Sequence, residues 1–248
     1  MLGTLKTARG LLRSLRIYYG DGSRHAAMDR LYGRFIGAGD LVFDIGAHVG
    51  DRVAAFRRLG ARVVAVEPQP ALVVALKLMY GRDRKVAIEA AAVGRAPGTI
   101  VLKLNPENPT VATASRPFIA AARHAPGWEG QAWSDDVEVP LTTLDELIAR
   151  HGAPRFVKID VEGFEAEVLD GLTHRCPALS FEFTAMHREV AFAAIDRCAA
   201  LGYGCFDAAL GESQRLVHGR WIGPDEIAAW LAALPADANS GDIYAFLG

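Results

Sequence analysis

The chain reads as an α/β protein whose doubly wound, mostly parallel sheet carries helices on both faces. Three observations predict this: apolar runs of strand length recur along the chain, segments with apolar residues at helical spacing separate them, and several of those segments end in glycine, a helix-stop signal. Near-continuous apolar strands are expected where helices bury both faces of a parallel sheet. At 248 residues the chain is long enough to bury a sizeable core. Its βαβα order places ligands at the carboxyl ends of the strands.

The elements can be justified in chain order, with residues 1–248 forming a single domain. Residues 1–39 are a helical extension, opened by "MLGTLKTARGLLRSLRIYY". Lys6, Arg9, Arg13 and Arg16 break every apolar run there, so the uninterrupted core of roughly 7 to 15 residues that a signal peptide needs is missing. Leu5, Leu11, Leu12 and Leu15 share one helical face, which permits contact with a membrane surface or a partner; a helix packed on the domain with a solvated basic face is the plainer reading. Residues 40–93 form a cofactor-binding half with strands "LVFDIG" (41–46), "ARVVAVEP" (61–68) and "KVAIEAAAV" (85–93). Residues 94–140 are an insertion. It starts with the strand "TIVLKL", becomes rich in Pro, Asn and small polar residues, and returns through "DVEVP"; structureless stretches of this kind usually serve as lids. Residues 141–248 supply the capped helix start "TTLDEL", the strands "RFVKIDVEG" (155–163) and "ALSFEF" (178–183), the helix "AMHREVAFAAIDRCAALG", a second insertion with the helix "WIGPDEIAAWLAAL", and the closing strand "DIYAFLG".

Composition narrows the function classes. Fifty-one per cent hydrophobic residues, 23% charged residues and a net charge of −2 describe an ordinary globular protein and imply no nucleic-acid partner. Cys176, Cys198 and Cys205 form no CxxC pair, and no histidine stands at metal-ligand spacing, so reduced packing cysteines in a cytoplasmic protein without a metal centre are expected. No apolar run is long enough to cross a bilayer.

The most informative stretch is "FDIGAHVGD" (43–51), in which Asp44 precedes a G-x-x-x-G made by Gly46 and Gly50. The dinucleotide fingerprint is G-x-G-x-x-G, whose backbone amides wrap a pyrophosphate. Here the second glycine of that turn is missing, and Asp44 would repel a pyrophosphate while suiting the ammonium of an amino-acid moiety. The pattern points to S-adenosylmethionine and away from NAD. Gly46 lets a cofactor approach the backbone, Gly50 lets the following helix pack closely, Glu67 ends the second strand where an acid accepts ribose hydroxyls, and Pro68 and Pro70 fix the turn behind it.

The ordered series "FDIGAHVGD", "VEPQPALVVAL", "AAAVG", "VPLTTLDEL" and "VKIDVEGFEAEVLDGL", with the tail "GDIYAFL", resembles the FkbM-type methyltransferases of the Rossmann-like class I S-adenosylmethionine-dependent fold. The resemblance runs from about residue 39 to residue 183. It implies that Asp44, Gly46, Ala47 and Gly50 hold the methionine end, Glu67 the ribose, and the Ala92–Val93 region the adenine. It further implies acceptors that are hydroxyls of sugars, polyketides or related secondary metabolites. His48 stands where the family usually has asparagine.

Methyl transfer to an alcohol requires an oriented acceptor that loses a proton. Lys158, Asp160 and Glu162 follow period-2 alternation at the end of the fourth predicted strand, on one face if the strand continues that far. Asp160 is the candidate acceptor-orienting group or general base, Glu162 stands second, and Lys158 balances their charge. The competing reading has Asp160 and Glu162 capping the next helix and pairing with Lys158. Glu182 lines the pocket or forms an ion pair. His124, Trp128 and Trp133 build an acceptor lid or a small satellite core, His187 is an alternative base or a surface residue, and Trp221 and Trp230 read as core. A catalytically idle binding module on the same fold and an NAD-dependent oxidoreductase are the competing functions.

Overall fold

The computed structural model describes residues 2–20 and 22–248, apart from the side chains of residues 2–8, 11, 18, 23 and 236. Leu5, Lys6 and Leu11 of the amphipathic reading therefore lie outside the described side chains. Two helices open the chain, α1 (Leu2–Tyr19) and α2 (Gly22–Tyr32). The alternation β1 (Leu41–Ile45), α3 (Asp51–Arg58), β2 (Arg62–Val66), α4 (Pro70–Tyr80), β3 (Val86–Glu89) follows. Next come β4 (Ala92–Val93), just before the insertion, then β5 (Gly98–Leu104) and α5 (Arg116–Ala122) within it, and β6 (Asp135–Thr142), which leads out of it. The remainder is α6 (Leu144–His151), β7 (Phe156–Ile159), α7 (Glu165–Asp170), β8 (Ala178–Thr184), α8 (Arg188–Leu201), β9 (Cys205–Leu210), α9 (Pro224–Ala233) and β10 (Ser240–Phe246).

Seven strands form the main sheet in the order β3-β2-β1-β7-β8-β10-β9, with β10 alone running antiparallel to its neighbours. Both faces are buried, as the near-continuous apolar strands require. On one face Phe43, Ile45, Val157, Ile159, Leu179 and Phe181 meet Leu144 and Leu147 of α6, Val168 of α7 and Ile195 of α8. On the other, Val42, Val63, Phe156, Ala178 and Tyr244 meet Met28 and Tyr32 of α2 and Val53 and Phe56 of α3. This second face changes character along the strands. In-register residues Val42 and Phe156 near the amino ends give way to Asp44 and Lys158 near the carboxyl ends. The sheet's packing surface thus turns into a polar floor at the edge where ligands bind in open α/β sheets.

The structure departs from the sequence reading at several points. "KVAIEAAAV" is two strands in different sheets, because the chain leaves β3 after Glu89 and re-enters as β4 beside β6. The insertion is ordered: β5 pairs antiparallel with β6 over seven residue pairs, and Leu102, Ala112 and Val139 bury a small core of their own. β9 went unread, since "CFDAAL" lacks the β-branched residues that mark strands. The fourth predicted strand stops at Ile159. Asp160 N still donates to Ile45 O, but Glu162 (φ 57°) and Gly163 (φ 85°) then turn the chain through the left-handed region. Trp230 packs against the core as expected, whereas Trp221 is 36% exposed and stacks on Phe246. In α1, Ser14 and Gly10 face inward, Gly10 against Pro109, while Leu12 and Ile17 are exposed beside Arg9, Arg13 and Arg16.

Gly46 is the glycine on which the site's backbone turns. Its φ is +84°, and a Cβ there would lie 1.8 Å from the Asp160 carbonyl oxygen. Gly46→Ala is therefore expected to cost about 3 kcal/mol or more in urea unfolding, the sum of left-handed strain and an unrelieved backbone clash. A loss below about 1 kcal/mol would show that the two turns move apart freely.

Candidate active site

The site is a cleft over the carboxyl ends of β1, β2 and β7. Asp44, Gly46, Ala47, Glu67, Pro68, Ala92, Val93, Asp160 and Glu162 all line it. Two sequence candidates do not. Gly50 instead holds the left-handed N-cap of α3 (φ 79°), where a Cβ would strike the Tyr80 ring at 2.7 Å and Leu76 at 2.9 Å. That agrees with close helix packing rather than ligand contact. Lys158, fully buried, lies below the cleft surface.

The first wall is a turn held by backbone bonds. Gly46 N and Ala47 N both donate to Val66 O, at 2.9 and 3.0 Å. Glu67, 2% exposed, accepts from His48 N (2.9 Å) and Gln69 N (2.8 Å), one on each carboxylate oxygen. The carboxylate therefore locks the β1 and β2 turns together, and each oxygen keeps lone-pair capacity for a ligand. The position of His48 follows from this bond, since its backbone is left-handed (φ 48°) and its amide, rather than its side chain, meets Glu67. Burial raises the Glu67 carboxyl to about 7 despite the amide donors. Burial likewise raises Asp44 to about 7, with Lys158 opposing, and Asp44 Oδ2 is buried without a hydrogen-bond partner among the described residues.

The floor is a charge network. Lys158 Nζ donates to Asp160 Oδ2 (2.9 Å) and to Asp242 Oδ1 (3.0 Å). Burial alone would lower the ammonium, but Asp160 and Asp242 together hold it well above its ordinary value. Burial penalises Asp160 too, and there Lys158 wins, keeping that carboxyl below its ordinary value. Glu162 and Glu182 have no such partner; burial first, then the Asp160 charge, pushes both far up. Period-2 alternation does not bring Glu162 here. It arrives through the left-handed turn, and the carboxylates of Asp160, Glu162 and Glu182 offer ligand atoms within 4.8 Å of one another.

The capping alternative fails for these two acids. Phe164 is the N-cap of α7 and provides no side-chain bond, and Glu165 instead ties the loop by accepting from Val161 N (3.1 Å) and Gly163 N (3.2 Å). Pairing of Asp160 with Lys158, the other half of that alternative, does occur. The predicted cap at "TTLDEL" forms, with Thr143 Oγ1 accepting from Glu146 N.

The ordered insertion roofs the cleft. Thr113 Oγ1 donates to the Glu162 carbonyl (2.6 Å), Phe118 covers Gly163, and Gln69 Nε2 donates to Pro109 O (3.0 Å). Trp128 and Trp133 both stand edge-on to Phe118, and Trp133 Nε1 donates to Val111 O, so these rings brace the roof. His124 and Trp128 also border a shallow hollow with Met186 and Asn239. His187 is half-buried rather than a free surface residue, lining another hollow with Arg116.

Sequence reasoning missed Arg52, Glu212 and Asp242. Arg52, buried, pairs with Asp51 and with Glu212 (2.8 Å) at one wall of the cleft. The signal for Arg52 was its place directly after the glycine motif in "GDRVAAF"; Asp242 is polar within an otherwise apolar closing strand.

A profile of the methyltransferase FkbM domain matches residues 44–203, a span that contains this turn, Lys158 with Asp160, Glu162 and Glu182, and the roof, while Asp242 lies beyond it. The chain belongs to the FkbM methyltransferase family. Its mostly parallel sheet with helices on both faces is the doubly wound α/β fold that the sequence predicts. Among curated proteins, the hexuronic acid methyltransferase AglP of Haloferax volcanii is 28% identical over 156 residues, 61% of this chain and 57% of that protein. The chain thus spans little more than half of that relative's length. Similar solved structures include the precorrin-6y C5,15-methyltransferase of Geobacter metallireducens (13% identity, TM-score 0.46, 91% of this chain and 87% of that one). Fibrillarin of Aeropyrum pernix with bound S-adenosyl-L-methionine is another (12% identity, TM-score 0.47, 89% and 73%). No helix among the described residues is long and apolar enough to cross a membrane, and all three cysteines are free.

The raised carboxyls fix the sign of a pH effect. Asp44 and Glu67 hold protons in the fold that the unfolded chain releases near pH 4, so their contribution to stability is complete below that range and disappears as pH rises through about 7. The ligand-free protein should lose roughly 2 kcal/mol or more of unfolding free energy between about pH 5 and about pH 8, measured by urea titration. Constant stability across that window would mean that both groups are ionised throughout.

Proposed function

We propose that the chain transfers a methyl group from S-adenosylmethionine to a hydroxyl oxygen of a small acceptor, with a sugar favoured over a polyketide or related metabolite. The observation that carries this reading is the Asp44 carboxylate, buried with Oδ2 unpartnered beside the Gly46–Ala47 turn and one strand away from Glu67. A buried acid without a partner suits a cationic ligand group, and a carboxylate pinned at a strand end suits vicinal hydroxyls. Apolar Val66, Val93, Leu102 and Ala112 suit a flat heterocycle. These residues fit the cofactor, which when bound supplies a sulfonium methyl and leaves as a neutral thioether. Asp44, Gly46 and Ala47 would hold its amino-acid end, Glu67 its ribose, and Ala92 and Val93 with the Pro68 turn its base. Family membership supports the reaction type, and the relative named for a hexuronic acid supports a sugar-class acceptor.

Asp160 is the residue for acceptor chemistry. Lys158 keeps it ionised at the cleft surface, where it can orient a hydroxyl and accept its proton, with Glu162 adjacent and Lys158 acting as a positioning residue. Buried acid–base pairs are also common in purely structural networks, so turnover decides the assignment.

Calorimetric titration with S-adenosylmethionine, its demethylated product and NAD should show heat for the first two only. Glu67→Ala should weaken that binding by about 1–3 kcal/mol, the cost of leaving hydroxyls without a charged partner. Heat from NAD instead would overturn the cofactor. Asp160→Asn should keep cofactor binding and lose at least roughly 100-fold in turnover on a hydroxylated acceptor. Near-normal turnover would move the chemistry to another group.

A further inference from the structure

Three carboxylates at the end of β7 and β8 outnumber the cations that face them. Asp160, Glu162 and Glu182 bring their oxygens within 4.8 Å of one another. Among the described residues the ammonium in contact is Lys158, which meets Asp160 and is shared with Asp242. Glu162 is only 8% exposed and lines the cleft, yet the hydrogen bond it accepts is at its main-chain carbonyl, from Thr113. Among the described residues no hydrogen bond to its carboxylate offsets that burial. Among the described residues Glu182 Oε2 is also shielded from solvent without a partner, although the Glu182 carboxyl meets Asp160. Buried carboxylates in such a group either keep protons or meet a cation.

We propose that Asp160, Glu162 and Glu182 form a binding site for one hard divalent cation of the magnesium or manganese class, open on its cleft side to the acceptor. Carboxylate oxygens alone, with neither thiolate nor imidazole, are the donor set such ions select. The chain builds the site at some cost. Glu162 sits in the left-handed region (φ 57°), which is where a non-glycine residue needs compensation, and that turn is what swings its carboxylate toward the other two. Sequence spacing hid the site because its three members come from a strand end, a loop and a second strand.

The cation's role rests on the methyl-transfer reading, although its binding does not. A divalent ion beside Asp160 would take two neighbouring oxygens of the acceptor, a vicinal diol or a hydroxy-carboxylate, and would favour the alkoxide of one of them, the hydroxyl proton leaving to solvent through the open side of the cleft. Acceptors with adjacent oxygen ligands would then be preferred over isolated alcohols.

The test uses the full chain without cofactor or acceptor. Mn2+ is titrated against wild type, Glu162→Gln and Glu182→Gln and followed by electron paramagnetic resonance, with Mg2+ as competitor; thermal melts check that each variant is folded. Expected are a single bound Mn2+, displacement by Mg2+, and at least about tenfold weaker binding in each folded variant. Absence of bound Mn2+ at about 1 mM, or binding unaltered in both variants, would overturn the site and leave a proton-sharing acid cluster. Mn2+ binding of the expected kind combined with no heat from S-adenosylmethionine would uphold the site and refute the methyl-transfer reading instead.

Discussion

Lys158 is a wholly buried ammonium between two carboxylates, Asp160 two residues along its own chain segment and Asp242 eighty-four residues away. Burying that charge is unfavourable by several kcal/mol before compensation, and only close, hydrogen-bonded partners on both sides offset it. The arrangement requires β7, β8 and β10 to be in register, because Lys158 stands beside Ser180 on β8 while Asp242 stands opposite Glu182. A slip of one residue would turn these charges into the opposite, wholly apolar face. The polar floor of the cleft is therefore also the device that fixes which residues face it.

From that floor the rest of the site follows. Burial first, and the neighbouring acid charges after it, hold the carboxyls near the cleft above their ordinary values, because Lys158 is already engaged by Asp160 and Asp242. The roof completes the enclosure through backbone contacts at Glu162 and Gly163 rather than through the acids themselves. This separation leaves the carboxylates available while the loop that carries them is held. The roof's aromatic residues belong to the same logic: Trp128 and Trp133 brace Phe118, and Phe118 covers the loop.

Much of this was legible in the sequence because it is local. "FDIGAHVGD" carries a strand, an acid and a glycine turn within nine residues, and apolar continuity in "LVFDI", "RVVAV" and "FVKI" is sufficient to place three neighbouring strands. What could not be read was set by tertiary contact. Glu162 reaches the cleft by a left-handed turn that no periodicity encodes, and Asp242 and Arg52 acquire their roles only when distant elements meet them. The order within 94–140 was obscured by its Pro and Asn content, although that segment forms a sheet whose strands pair chiefly with each other. β9 was hidden because its burial comes from being covered by α9 and paired with β10, not from its own side chains.

The sheet order has a consequence for how the molecule is made. β10 enters between β8 and β9, two strands synthesised before it. Until it arrives, both present unpaired edges and Lys158 lacks one of its counter-ions. A nascent chain on the ribosome must therefore hold its newest half in a waiting state, with open edges that invite pairing with other chains. The final insertion closes the sheet and completes the charge network in a single event, so chains cut short before this strand would be marked for quality control by their exposed edges rather than surviving as half-active protein.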